Sequence, residues 1–263
     1  MAVTERMAPG KYESTVTPEI VERYKKLTTP NIWQVLTTQG INCYTRAVRA
    51  IAPGMRLCGP AVTMRLVPIQ EKKNFSTIGS PDFEHTIHVL SRMTKKGDIH
   101  VLDMGGYMDG SLFGGHAAAD AKWAGAAGMV IDGVTRDSYQ QIEWKFPVFA
   151  RDTVAPHAHG MFRTANLNNE PVVVGTVSIG PGDLVIGDND GLCVVPKHRA
   201  ADLLPLIEEA EERDYAGVKD WDAGLDVHSK DGGHHQNSLD VMDPKMITNV
   251  PKGARDPRTT KRP

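Results

Sequence analysis

Cysteine is scarce: Cys43, Cys58 and Cys193 are the only three in 263 residues. Their number is odd and no two stand in a C-x-x-C spacing, which argues against a disulfide framework and a thiolate zinc site. All three read as small buried hydrophobes. Long apolar runs are also lacking; none nears the roughly 18 residues that span a bilayer. The opening MAVTERMAPGKYEST is polar and has no signal-peptide apolar segment. A cytoplasmic protein without a membrane partner is the expectation. Charge imbalance is missing too, with a formal net charge of -2, so no nucleic-acid partner is expected. There is no G-x-S-x-G and hence no nucleophile elbow. There is no GKS or GKT, which excludes a nucleotide P-loop, and the glycines do not fit G-x-G-x-x-G.

What is present suits a soluble globular domain with appendages: 40% apolar and 24% charged residues. TPEIVERYKKL predicts a helix with Thr17 as N-cap and Ile20, Tyr24 and Leu27 on one face. A second start follows, with Thr29 as cap, Pro30 opening the helix, Ile32, Val35 and Leu36 inward, and Gly40 ending it. Residues 55–67 read as a strand and 82–94 as a helix; Gly97-Asp98 turns the chain into a strand at 99–104. Next come a helix at about 116–127, a strand at 128–132, an Asp132-Gly133 turn, a helix or turn at 137–143 and a strand at 147–151. Such alternation argues for an α/β fold with some parallel pairing. Residues 171–195, cut by Gly-Pro-Gly and Asn-Asp-Gly, read as consecutive antiparallel strands. A last amphipathic helix presents Leu203, Leu204, Ile207 and Ala210 inward. The organisation expected is an N-terminal helical arm (1–27), a catalytic domain (28–216) and a polar C-terminal extension (217–263).

Chemistry concentrates in GGYMDGSLFGGHAAADAKWAGAAGMVIDGVTRD. The glycine-rich loop leads into a helix start at Gly114, Gly115, His116 and Ala117, whose free N–H groups and positive dipole end suit a carboxylate. Arg136 and Asp137 follow an apolar strand, where α/β proteins place their sites. An Arg fork holds a carboxylate, and the adjacent Asp offers oxygen to a hard cation. A surface Arg–Asp pair is the plainer alternative. Asp188, Asn189 and Asp190 before Gly191 echo a calcium loop, but the remaining spacing is absent, so a tight β-turn is expected. His85 and His88 stand three apart with no third ligand nearby. His157 and His159 lie in a loop without an evident third partner. His234 and His235 read as a solvated tail.

Taken together, RLCGPAVTMR (56–65), KGDIHVLDMGG (96–106), FGGHAAADAKWAGAAGMVIDGVTRD (113–137), FPVFAR (146–151) and VSIGPGDLVIGDNDGLCVVP (177–196) resemble the RraA-like family. That family includes 4-hydroxy-4-methyl-2-oxoglutarate / 4-carboxy-4-hydroxy-2-oxoadipate aldolases and the regulator of ribonuclease activity A. The resemblance covers about residues 28–212. It implies a compact α-β-β-α sandwich of the swivelling-domain kind, assembled as a homotrimer or hexamer with sites between subunits. It implies that Arg136 binds and polarises a pyruvyl group, that Asp137 binds Mg²⁺ or Mn²⁺, and that amides near His116 and Ala117 hold the carboxylate. The sequence departs from the pattern at two points. The family's aldolases carry Asp where this chain has Gly115, and a second pattern carries an acidic residue where it has Gln140. His116, Gln140 or Glu143 are the candidate helpers. The resemblance implies a metal-dependent lyase of a small 2-oxo acid, by retro-aldol cleavage or oxaloacetate-type decarboxylation. A non-catalytic regulator and a sister lyase with another substrate are the alternatives.

Overall fold

The computed structural model describes residues 14–70 and 90–222, the last six by backbone alone. The chain divides into two compact units, Met1–Ile207 and Glu208–Pro263. In order the elements are α1 (Pro18–Tyr24), α2 (Thr29–Thr38), β1 (Tyr44–Thr45), β2 (Arg49–Ala50), β3 (Leu57–Pro68), β4 (Ile99–Tyr107), α3 (Gly115–Ala124) and β5 (Gly128–Thr135). They continue with α4 (Ser138–Glu143), β6 (Val148–Thr153), β7 (Phe162–Leu167), β8 (Val172–Val174), β9 (Val177–Ile179), β10 (Leu184–Asp188), β11 (Gly191–Val195) and α5 (Ala200–Asp222).

The large sheet runs β1-β11-β10-β3-β4-β5-β6-β2, with β7 on β3 off this path. Its centre, β3 to β6, is parallel; its flanks are antiparallel. The expected α/β class with partial parallel pairing is what the chain adopts. Parallel strands are covered on both faces and so read as continuous apolar runs; every residue of β5 is buried. Three packed clusters give the layers. One joins α1, α2 and α5 to β10 and β11 through Tyr24, Leu36, Ile186 and Leu203. A second lies between the two halves of the sheet and the β8–β9 hairpin, around Val130, Phe149, Val174 and Val185. The third seats α3 on β4 and β5 through Ala117, Ala118 and Ala121. This is the helix–sheet–sheet–helix order. Phe149 is wholly buried, worth about 3 kcal/mol relative to exposure.

Several local expectations shift. Thr28 occupies the N-cap of α2. Thr29 lies one residue inside, because the Asp188 carboxylate captures its N–H (3.0 Å) and its hydroxyl (2.7 Å). Asp132-Gly133 is not a turn: β5 continues to Thr135, since β4 and β6 pair with it on both sides. Residues 171–195 do form antiparallel strands as expected, in two separate hairpins. β8 pairs with β9 outside the large sheet, and β10 pairs with β11 within it. The Asp188–Gly191 turn closes that second hairpin, as a β-turn should. All three cysteines are buried and free, and burial pushes the Cys58 thiol up to about 12. Of the helix expected at 82–94, residues 90–93 are described and helical. His85, His88, His234 and His235 lie outside the described residues.

Candidate active site at the ends of β5 and α3

The site sits where the parallel strands give way to helices. Thr135 ends β5, and its hydroxyl donates to the Phe113 carbonyl at 2.7 Å. The buried Gln141 amide donates to Thr135 Oγ1 (2.9 Å) and to the Arg136 carbonyl (2.9 Å). This network ties three segments together: the strand end, the loop entering α3, and α4. Buried polar groups that are all satisfied hold backbone in one arrangement. Gln141 gave no signal in the sequence, because it reads as one more polar residue of a short helix.

Asp137 is the first consequence. Its φ of 56° is left-handed, a conformation uncommon for a non-glycine residue and least so for Asn and Asp. There it caps the start of α4 in sequence, but its side chain turns away from that helix. Asp137 Oδ2 instead accepts the Gly115 N–H of α3 at 3.1 Å. The anion site expected at the α3 start is thus partly filled by the chain's own carboxylate. Among the described residues the next two amides, of His116 and Ala117, have no partner outside the helix, and first-turn amides have no partner inside it.

Arg136 is the second consequence. Its Nε lies 3.4 Å from Asp137 Oδ2, yet it is buried without a hydrogen-bond partner among the described residues. The charges are close but the N–H is not aligned, so the contact is an ion pair and not a hydrogen bond. An unsatisfied buried donor costs roughly 1–3 kcal/mol. It is the kind of group that a bound oxyanion would satisfy.

Gly114 and Gly115 leave room for this packing. A Cβ on Gly114 would stand 2.5 Å from Asp137 Oδ2 and 2.7 Å from Arg136 Cγ. A Cβ on Gly115 would strike Gln140 Oε1 and reach within 3.4 Å of Asp137 Cβ. Gln140 therefore occupies the space beside Gly115, the residue whose N–H the Asp137 carboxylate accepts. His116 is exposed on the first turn of α3, and Glu143 is exposed at the far end of α4; neither is drawn into this packing. Among the described residues no three of His, Cys, Asp or Glu gather as a metal cluster. One carboxylate and one amide oxygen suit a hard, largely hydrated cation better than zinc.

The loop histidines are closer to this site than their sequence position suggests. Ser111 and His157 form a β-bridge, and the His157 and His159 rings lie 4.7 Å apart. Burial, His157 and the Arg136 charge, in that order, hold the His159 imidazolium below its ordinary range.

With this geometry in place, the comparisons with known proteins decide the family. Residues 19–194 match the RraA-like family model, described as Aldolase/RraA. The chain belongs to the RraA-like family. A protein of Halalkalibacterium halodurans, provisionally named a 4-hydroxy-4-methyl-2-oxoglutarate aldolase, is 28% identical over 200 residues, 75% of this chain and 86% of its own. A Burkholderia mallei protein with the same provisional name is 31% identical over 142 residues, 53% of this chain and 74% of its own. Among solved structures, an unusual member of the RraA family of RNase ES inhibitors from Streptomyces coelicolor aligns with a TM-score of 0.66 and 25% identity. It covers 76% of this chain and 96% of that one. An uncharacterized protein of Pseudomonas syringae pv. tomato shares the fold, with a TM-score of 0.70, 23% identity, and coverage of 82% and 98%. No helix among the described residues is long and apolar enough to cross a membrane.

Proposed function

We propose that this RraA-like protein is a lyase of small 2-oxo acids that works with Mg²⁺ or Mn²⁺ at Arg136 and Asp137. The observation that carries the reading is the buried, unpartnered Arg136 Nε beside a carboxylate held in left-handed backbone. The His116 and Ala117 amides and the positive end of α3 take the substrate carboxylate. Arg136 faces the 2-oxo oxygen. When the neighbouring C–C bond breaks, its electron pair moves onto that oxygen as an enolate, and a proton later returns to carbon to give the 2-oxo acid product. The leaving fragment is carbon dioxide from an oxaloacetate-type acid. In the retro-aldol case it is a carbonyl compound whose hydroxyl has lost its proton to solvent. Arg136 stabilises the developing oxyanion, a preorganised contribution that is often the largest in such reactions. Asp137 and Gln140 are the residues that would hold the cation, which when bound supplies Lewis-acid polarisation of the 2-oxo group.

The same reading has the chain assemble as a trimer or hexamer. Trp123, 85% exposed on α3, and Tyr139 and Ile142 on α4 are exposed apolar side chains of the kind that mark contact surfaces. The test of the activity is pyruvate release from oxaloacetate. Chelation should abolish the rate and Mg²⁺ or Mn²⁺ should restore it. Metal-independent release, or no release from a set of 2-oxo acids, would overturn the reading. A second reading, a binding protein without chemistry, is favoured by one feature: the space beside Gly115 holds the neutral Gln140 amide and no second carboxylate.

A further inference from the structure

A polar hollow lies at the neighbouring strand end. It has a volume of about 420 Å³ and is lined by Arg46, Arg49, Ile51, Arg151, Asp152 and Thr153 among others. Two elements build it. β2 pairs antiparallel with β6, with Arg49 opposite Ala150, so the segment 46–51 forms one wall and residues 150–153 the other. Thr153 pairs with Thr135 across β5 and β6, which puts the hollow one strand away from the Arg136 strand end.

Its charges are unequally matched. Arg151 Nε donates to the buried Asp132 carboxylate at 2.7 Å, and that pair is neutral. Gly106, with φ of 76°, lies against the Arg151 guanidinium; a Cβ there would meet its Cζ at 3.0 Å. The guanidinium is thus fixed in place by Asp132 on one strand and Gly106 on another. Arg46 and Arg49 have no hydrogen bond or ion pair with any described residue. Asp152 offers the one carboxylate of the lining, and its Oδ1 already accepts the Thr153 N–H at 2.8 Å. Three arginines and a single carboxylate line one small concave volume, so positive charge is in excess there, and a multiply charged anion offsets it. Guanidinium forks match carboxylate and phosphate oxygens in geometry as well as charge.

We infer that Arg46, Arg49 and Arg151 form an anion-binding site for a small molecule carrying two or more carboxylate or phosphate groups. The anion has two possible sources: the far end of a di- or tricarboxylic substrate whose other end reaches Arg136, or a separate small anion. The inference does not rest on the lyase reading, and its test needs no turnover.

The test is calorimetric titration of the full chain with tricarballylate, which has three carboxylates and no 2-oxo group, and with inorganic pyrophosphate, which has two phosphate groups. At least one probe should bind saturably, and added NaCl should weaken it. An R46Q/R49Q double variant should bind that probe about tenfold more weakly or worse, with the wild-type melting temperature and mass. Arg136→Gln separates the sources. If it also weakens tricarballylate severalfold, one ligand spans both places. If it leaves binding unchanged, the hollow takes its own anion. No saturable binding of either probe below 10 mM, or equal binding by the double variant, would overturn the inference. So would a change of mass in that variant, which would make the hollow a subunit contact.

Discussion

Two aspartates at chain turns, Asp188 and Asp137, face different surroundings. The Asp188 carboxylate closes the β10–β11 hairpin and is saturated. Oδ1 accepts the Thr29 hydroxyl and the Asp190 N–H, and Oδ2 accepts the Thr29 N–H. Asp137 holds one amide, that of Gly115, and faces an arginine nitrogen that it does not satisfy. In the sequence Asp188 echoes a calcium loop, and Asp137 follows an arginine as an oxygen donor for a hard cation. The difference lies in what the fold leaves unbonded. A carboxylate whose partners are all internal is part of the scaffold, whereas one beside an orphaned donor and two open amides is prepared for something from outside.

The largest effect expected from this contrast is at Arg136. Arg136→Lys keeps the charge but loses the planar fork. Turnover of oxaloacetate should fall about 10²–10³-fold while the melting temperature stays near wild type, because the guanidinium Nε is not bonded in the folded chain. A wild-type rate in this variant would show that the pair is decoration.

Next is the pH dependence of stability, where a large shift lies in the scaffold. His100 is buried at the start of β4, with Nε2 2.6 Å from Thr94 Oγ1, and that hydroxyl itself donates to the Leu90 carbonyl. The imidazole therefore donates. Burial, partly offset by Asp120, pushes its pKa down to about 4. The unfolded chain binds a proton near pH 6.5 and the folded chain does not until about pH 4, so this stability is present above 6.5 and drains away between the two. The full loss is about 3 kcal/mol. Denaturant melts across this range should show the decline, and His100→Gln should flatten it; an unchanged profile in the variant would remove His100 from the account.

Smaller still is the effect of Gln141→Leu. It leaves the Arg136 carbonyl without its side-chain donor, at a cost of about 1–3 kcal/mol, and it loosens the strand end that positions Arg136. Both the melting temperature and turnover should drop, and loss of only one would separate scaffold from site. The smallest effect is expected from adding a carboxylate at position 115. Gly115→Asp alone meets the Gln140 amide, which is the movable end of a flexible side chain. Combined with Gln140→Gly the new carboxylate has room beside Asp137, and Mg²⁺ should bind about tenfold more tightly. If the double variant binds no better than wild type, Gln140 is not standing in the place of that acid.

Much of the fold was legible because its signals are local. The apolar runs of β4 and β5, the glycine turn at Gly97 and the alanine-rich α3 each state their own structure. The Asp132-Gly133 turn was misread for the same reason. A Gly after an Asp resembles a turn locally, and only pairing with β4 and β6 on both sides keeps it in the strand. At the site, Arg136, Asp137 and the glycines stood out by type and order. Gln141 and the Arg46–Arg49 wall did not, and nothing local placed the His157–His159 pair near Arg136, since these positions depend on contacts between segments far apart in sequence.

The most direct test sets the two aspartates side by side. Asp137→Asn and Asp188→Asn each remove one charge, and Asn tolerates the left-handed backbone of position 137. Melting temperature and metal-dependent pyruvate release from oxaloacetate are measured for both. Asp137→Asn should abolish metal-dependent release and melt like wild type. Asp188→Asn should lose about 2 kcal/mol of stability and keep its activity per folded molecule. The reverse pattern, an active Asp137→Asn beside an inactive but stable Asp188→Asn, would contradict the account.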